Sequence, residues 1–141
     1  MFLYDVPTMI ERLGHVTVLV RDQDAALKFY RDVLGMEVRE DRRMGEYRWL
    51  TVAPAGSSVA IVLQRPGAPF HSPELTEQLL ARVGQGTTWV LETSDCRGTA
   101  ASLSAEGVRF RSEPEEMPWG ISAVFEDLYG NPYNLLQVRA H

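Results

Sequence analysis

Cysteine, long apolar runs and clustered basic residues are all scarce in this sequence. The single cysteine, Cys96, cannot form a disulfide within the chain, which favours a reducing compartment. No apolar run approaches the roughly 20 residues that cross a bilayer, and residues 1–8 lack the basic start and apolar middle of a signal peptide. The 14 basic residues are interspersed among 19 acidic ones, so no basic stripe is available for nucleic acid. These shortages predict a cytoplasmic protein that contacts neither membranes nor nucleic acid.

The 141 residues are 45% hydrophobic and 23% charged, which is typical of one globular domain. The first clear element is a β-branched run from Leu13 to Val20, which predicts a strand with His15 on one face and three valines on the other. Asp22 can cap a following helix, and Gly35 can end it. We expect the valine face of the strand to pack against this helix.

The second half of the chain repeats the first at a nearly constant offset. Asp22 and Asp95 are 73 residues apart, Gly35 and Gly107 are 72 apart, and the pair Leu63-Gln64 recurs after 73. Ordered matches across several elements indicate an internal duplication. We therefore predict one α+β domain of two tandem β-α-β-β-β modules, each with a curved sheet, whose pairing forms a cup-shaped mixed sheet. The expected parts of this domain, residues 1–141, are module one at about 11–66, a connector and helix at about 67–84, and module two at about 85–141.

Three motifs lie in order along the chain: GHVTV at 14–18, ALKFYRDVLGM at 26–36 and FEDLYGNPYNL at 125–135. They resemble the vicinal-oxygen-chelate superfamily, which includes glyoxalase I, extradiol dioxygenases, fosfomycin-resistance enzymes and bleomycin-resistance proteins. The resemblance implies paired modules, a cup-shaped sheet and usually a homodimer. It predicts the reaction poorly, because the superfamily contains lyases, dioxygenases, isomerases, transferases and pure binding proteins.

In metal-dependent members of the superfamily, four ligands hold a divalent ion in the cup. The matching positions here are His15, Val62 (or Ile61 if the register slips by one), Thr88, and Asn134 where glutamate is usual. Only His15 has the imidazole, thiolate or carboxylate chemistry that open zinc, iron or manganese sites need. We therefore expect no metal cofactor. A displaced site of zinc, nickel, manganese or iron would need Glu92, two residues after Thr88 on the same strand face.

His15 has three interpretations in the absence of a metal. First, His15 could be a relic of the family pattern whose side chain hydrogen-bonds a neighbouring strand or Asn134. Second, it could donate a hydrogen bond to a ligand in the cup. Third, it could act as a general acid or base. The residues of the sequence do not distinguish these three roles.

Aromatic and amide side chains supply further candidates for the cup. Trp49 and Trp119 are expected near it, where they suit a flat ligand, although core or dimer packing explains them equally well. Gln64 and Gln137 end matching strands and lie either at the cavity rim or toward solvent.

Three other features have weaker functional interpretations. His71 is expected to be solvated in a Pro- and Gly-rich connector that could cover a cavity as a lid. Cys96 begins a helix, whose field would lower the pKa of its thiol, but no base is signalled nearby. The run Glu113-Pro114-Glu115-Glu116 follows a predicted strand near Val108–Ser112 and predicts a solvated loop, or a gate to the site.

The sequence predicts a homodimer that binds a small organic molecule in a cup, without the metal centre of the family. One alternative is a metal-dependent lyase or dioxygenase that acts on vicinal oxygens through His15 and Glu92. Another is a metal-free enzyme that uses His15 as its catalytic acid or base. The candidate ligand-binding residues are His15, Trp49, Gln64, Thr88, Glu92, Trp119 and Asn134.

Overall fold

The computed structural model describes residues 9–139 and confirms the predicted α+β fold, with two β-α-β-β-β units joined by a helix. The first unit comprises β1 His15–Leu19, α1 Gln23–Lys28, which continues as a π-helical turn Phe29–Val33, β2 Glu37–Met44, β3 Tyr47–Ala53 and β4 Ala60–Gln64. The remaining elements are α2 Pro73–Ala81, β5 Trp89–Glu92, α3 Cys96–Ala105, β6 Phe110–Met117, β7 Gly120–Glu126 and β8 Pro132–Val138. Residues 1–8, in which the sequence predicts no signal peptide, lie outside the described residues.

Each module forms one four-stranded mixed sheet, and the two sheets have matching strand orders. These orders are β1-β4-β3-β2 and β5-β8-β7-β6. In both sheets the first strand of the module is parallel to the last, and the other neighbours are antiparallel. The parallel pair arises because a helix carries the chain across the sheet after the first strand. The sequence repeat is therefore a structural repeat.

An aspartate begins the helix of each module, as the sequence predicts. The Asp22 carboxylate accepts hydrogen bonds from the backbone N–H groups of Asp24 and Ala25, and the Asp95 carboxylate accepts one from Gly98. Gly35 follows the first helix with φ of +75°, a backbone conformation that glycine adopts without steric cost. Among residues 9–139, no helix is long and apolar enough to cross a membrane.

One hydrophobic core serves both modules. Val18 of β1 and Val20, just after that strand, are fully buried in it, so the valine face packs inward as expected. Tyr30, from the π-helical turn, packs against Tyr133 of β8 with ring centroids 6.1 Å apart. Because the packed faces of both sheets belong to this single core, the opposite face of each sheet points away from it.

The acidic run Glu113–Glu116 was predicted to be a loop, and this prediction is wrong. The run belongs to β6, which among the described strands pairs only with β7 and therefore forms a sheet edge. Register irregularities also interrupt the pairing of β6. Such an edge tolerates a proline and several charges, because one side of its backbone has no partner strand.

Candidate functional site

His15 lies on the face of the module-one sheet that points away from the core, where it meets Glu40 and Trp49. Its Nε2 atom is 3.9 Å from Glu40 Oε1, and its ring lies edge-on to Trp49 with centroids 5.3 Å apart. The Trp49 indole N–H donates a hydrogen bond to the same Glu40 oxygen at 3.0 Å. We call His15, Glu40 and Trp49 the roof cluster. It places two aromatic rings and one carboxylate together on a partly exposed surface.

The roof cluster shows that this face of the sheet is concave. His15 is on β1 and Glu40 on β2, the two outer strands, which would be about 14 Å apart in a flat sheet. The two side chains reach each other only if the outer strands curl inward. Val62 of β4 and Thr51 of β3 are register partners on the intervening strands. They form the floor of this module-one cup, and both are buried.

A β-bulge brings Glu40 into the roof cluster. Val38 pairs with the core residue Val52, whereas Glu40 pairs with Thr51, whose side chain is on the opposite face. Simple alternation along β2 would put Val38 and Glu40 on the same face. The register shift between them reverses this alternation. Glu40 and Thr51 were not predicted from the sequence, because a bulge within a charged run leaves no clear pattern.

The connector after β4 borders one end of the module-one cup. Phe70 packs edge-on against Tyr47 of β3, with ring centroids 4.8 Å apart. Gln64 at the end of β4 has its Nε2 atom 3.4 Å from His71 Nε2. His71 Nδ1 also accepts a hydrogen bond from the Gly67 N–H at 3.0 Å. His71 is therefore half-buried and bonded, not solvated as the sequence predicted.

The candidate residues of module two lie at separate places. The Asn134 side-chain oxygen accepts a hydrogen bond from the Ser122 hydroxyl at 2.6 Å, on the sheet face that points away from the core. Thr88 lines a depression of about 350 Å³ together with Thr17 of β1. Glu92 lines a more apolar cavity of about 550 Å³ beside β1 and β5. The first strands of the two modules therefore approach each other.

Other expectations for side chains change in the structure. Trp119 lies in the turn between β6 and β7 and is 59% exposed. Gln137 is neither at the cup rim nor turned to solvent, because its side-chain oxygen accepts the Cys96 N–H at 2.9 Å and caps α3. Burial raises the pKa of the Cys96 thiol, which corrects the expected lowering by the helix start. The thiol is therefore a core group that donates to the Leu135 carbonyl.

The side chains present do not fit the divalent ion that the superfamily resemblance implies. Val62 has no donor atom, and the Asn134 oxygen is already bonded to Ser122. The carboxylate beside His15 belongs to Glu40. Within residues 9–139, no three His, Cys, Asp or Glu side chains lie close enough together to hold a metal ion. An open catalytic metal site normally has about three protein ligands.

Comparisons with known proteins agree with this fold and establish the family. The solved structure of UcmS2 is 41% identical in sequence with a TM-score of 0.83, over 92% of this chain and 99% of that one. TnmS3, an antibiotic binding protein from Streptomyces sp. CB03234, is 29% identical with a TM-score of 0.78, over 94% and 100%. An uncharacterized protein of Shewanella frigidimarina is 34% identical over 93% of this chain and 96% of its own length. A sequence model of one superfamily matches residues 12–135, and the chain belongs to it: the glyoxalase/bleomycin resistance protein/dioxygenase superfamily.

Proposed function

We propose that this protein binds a flat small organic molecule, as a homodimer and without a divalent metal centre. The module-one cup is the observation that carries this proposal. It presents the His15 and Trp49 rings beside a carboxylate, above a floor that contains Val62 and Thr51. Aromatic walls with a few polar groups are typical of sites for small organic ligands. The similarity to TnmS3, an antibiotic binding protein, supports binding as the activity.

A second copy of the chain completes the site in this proposal. The sheet faces that carry His15 and Asn134 both point away from the shared core. Within one chain, these two residues therefore do not face each other across the core. Apolar side chains are also exposed near the first strand of each module, with Leu13 67% and Val90 51% exposed. Exposed apolar surface of this kind often marks a protein interface. The module-one face of one chain and the module-two face of its partner would then enclose the ligand together.

The role of His15 in this proposal is contact with the ligand. Its Nε2 atom is too far from Glu40 for a hydrogen bond, at 3.9 Å, so it has room for another partner. From module two, Thr88, Glu92 and Asn134 would supply polar contacts from the opposite wall. Trp49 would supply the largest flat surface.

Binding of 1-hydroxypyrene, followed by its fluorescence anisotropy, tests this function. We expect saturable binding to the wild-type protein. Trp49→Ala should weaken binding by about tenfold or more, because the variant loses the apolar area that the indole buries and a further ~1 kcal/mol of aromatic pairing. The control Leu128→Ala, in an exposed turn of module two, should bind like the wild type. The absence of saturable binding to the wild type would contradict the proposal.

Metal analysis tests the remaining part of the proposal. Protein purified without chelators is expected to contain no stoichiometric zinc, nickel, manganese or iron. A stoichiometric metal that disappears in His15→Ala would support the metal-dependent lyase or dioxygenase instead.

A further inference from the structure

Thr51 carries a buried hydroxyl that has no hydrogen-bond partner among the described residues. Thr51 is fully buried in β3, and its Oγ1 atom forms no hydrogen bond with any described residue. Leaving a buried hydroxyl unpaired costs free energy, and native proteins retain few such groups. The hydroxyl therefore suggests a second state of the site in which it has a partner.

The Thr51 hydroxyl lies beneath the roof cluster. Thr51 pairs in register with Val62 on one neighbouring strand and with Glu40 on the other, so these side chains share one row of the cup. His15 starts on the far outer strand, two residues before the register partner of Val62, and its side chain reaches Glu40 in this row. The hydroxyl is thus inside the cup, and side chains shield it from solvent.

The roof cluster consists of side chains that are partly exposed to solvent. The side chains of His15 and Glu40 are 43% and 35% exposed, and Trp49 is half-buried. One hydrogen bond, from Trp49 to Glu40, and the edge-on contact of the His15 and Trp49 rings hold the cluster together. Rotamer changes of exposed side chains need only picoseconds to nanoseconds. A ligand that replaces the indole N–H as the partner of Glu40 would uncover Thr51.

We propose that Glu40 and Thr51 form a recognition site for a hydroxyl group on an aromatic ligand. This inference rests on the proposed function and names the ligand chemistry. A carboxylate only accepts hydrogen bonds, whereas the threonine hydroxyl can also donate. A ligand hydroxyl therefore donates to Glu40 and accepts from Thr51 at the same time. Arg42, 4.0 Å from the second Glu40 oxygen, already places a positive charge there and disfavours a ligand ammonium group.

A matched pair of probes tests this site: 1-hydroxypyrene and 1-methoxypyrene, whose ether oxygen cannot donate. We expect the wild type to bind the hydroxyl compound about tenfold or more tightly. Thr51→Val keeps the side-chain shape and removes the hydroxyl, and should reduce this ratio to about twofold. Thr51→Ser restores the hydroxyl and should restore the ratio. Thr76→Val, on α2, is the control and should keep the wild-type ratio.

The outcomes separate this inference from the proposed function. Equal binding of the two probes to the wild type, or an unchanged ratio in Thr51→Val, would overturn the hydroxyl site and leave aromatic binding intact. Failure of the wild type to bind either probe would overturn both. Thr51→Val should fold at least as stably as the wild type, because it removes an unpaired buried hydroxyl.

Discussion

The Tyr30 hydroxyl connects the two modules. It donates to Asp127 Oδ2 at 2.6 Å and lies 2.8 Å from the Tyr133 hydroxyl, although these residues are 97 and 103 positions away in the sequence. Burial raises the pKa of Tyr30 well above its usual value, so the hydroxyl keeps its proton and remains a donor. Asp127 also accepts two hydrogen bonds from Asn131. A buried polar network therefore fixes the position of module one against module two.

We predict that Tyr30→Phe lowers the free energy of unfolding by about 2 kcal/mol, because it removes a buried hydrogen bond to a carboxylate. Urea denaturation monitored by tryptophan fluorescence would measure the change. Tyr47→Phe is a matched control, since the Tyr47 hydroxyl forms no hydrogen bond with the other described residues and Tyr47 is only half-buried. Equal stability of the two variants would show that the Tyr30 network contributes little.

The segment after α2 is joined to module two through the backbone N–H of Gly84. The Gly84 N–H donates to the Asn131 side-chain oxygen at 3.0 Å, and φ at Gly84 is +82°. A Cβ at this position would collide with the backbone carbonyl oxygen of Tyr129. The connection between the modules therefore requires glycine here for both conformation and space.

Gly84→Ala is predicted to destabilise the protein by at least about 3 kcal/mol, because the Tyr129 backbone must shift as well. Gly45→Ala is the matched control: φ there is +62° and a Cβ would meet no atom within 4 Å. It should cost only about 1 kcal/mol, from the left-handed conformation alone. Thermal unfolding of both variants measures the difference. Similar melting temperatures would argue against the close approach of Gly84 and Tyr129.

The proposed homodimer gives a prediction for the exposed strand β5. Among the described strands, β5 pairs only with β8, and Val90 on it is 51% exposed. Val90→Asp should weaken dimerisation by about 100-fold, because the carboxylate would lose water at an apolar interface. Sedimentation equilibrium measures this change. Leu75→Asp, an equally non-conservative change on the exposed side of α2, should leave dimerisation unchanged. A wild-type protein that stays monomeric would contradict the proposal.

The repeat, the order of the elements and the helix starts were predictable from the sequence. Asp22 and Asp95 cap their helices, and Gly35 ends the first helical segment, because caps and stops depend on residues a few positions apart. The valine face of β1 was predictable because side chains alternate along a strand and the buried side is apolar. His15 and Trp49 were both selected from the sequence, and the structure places their rings in contact.

The set of side chains that share the module-one cup depends on contacts between distant elements and was not predictable from the sequence. The bulge in β2 turns Glu40 toward Thr51, and a bulge depends on how two strands pair across the sheet. Burial, which depends on the whole packed molecule, raises the pKa of Cys96 against the local effect of its helix. The Thr51 hydroxyl, which has no partner among the described residues, belongs to a residue that pairs in register with both β2 and β4. Local sequence determines the individual helices and strands. The chemistry of the site depends on contacts between distant elements, because each contact requires a strand-pairing register that no single segment encodes.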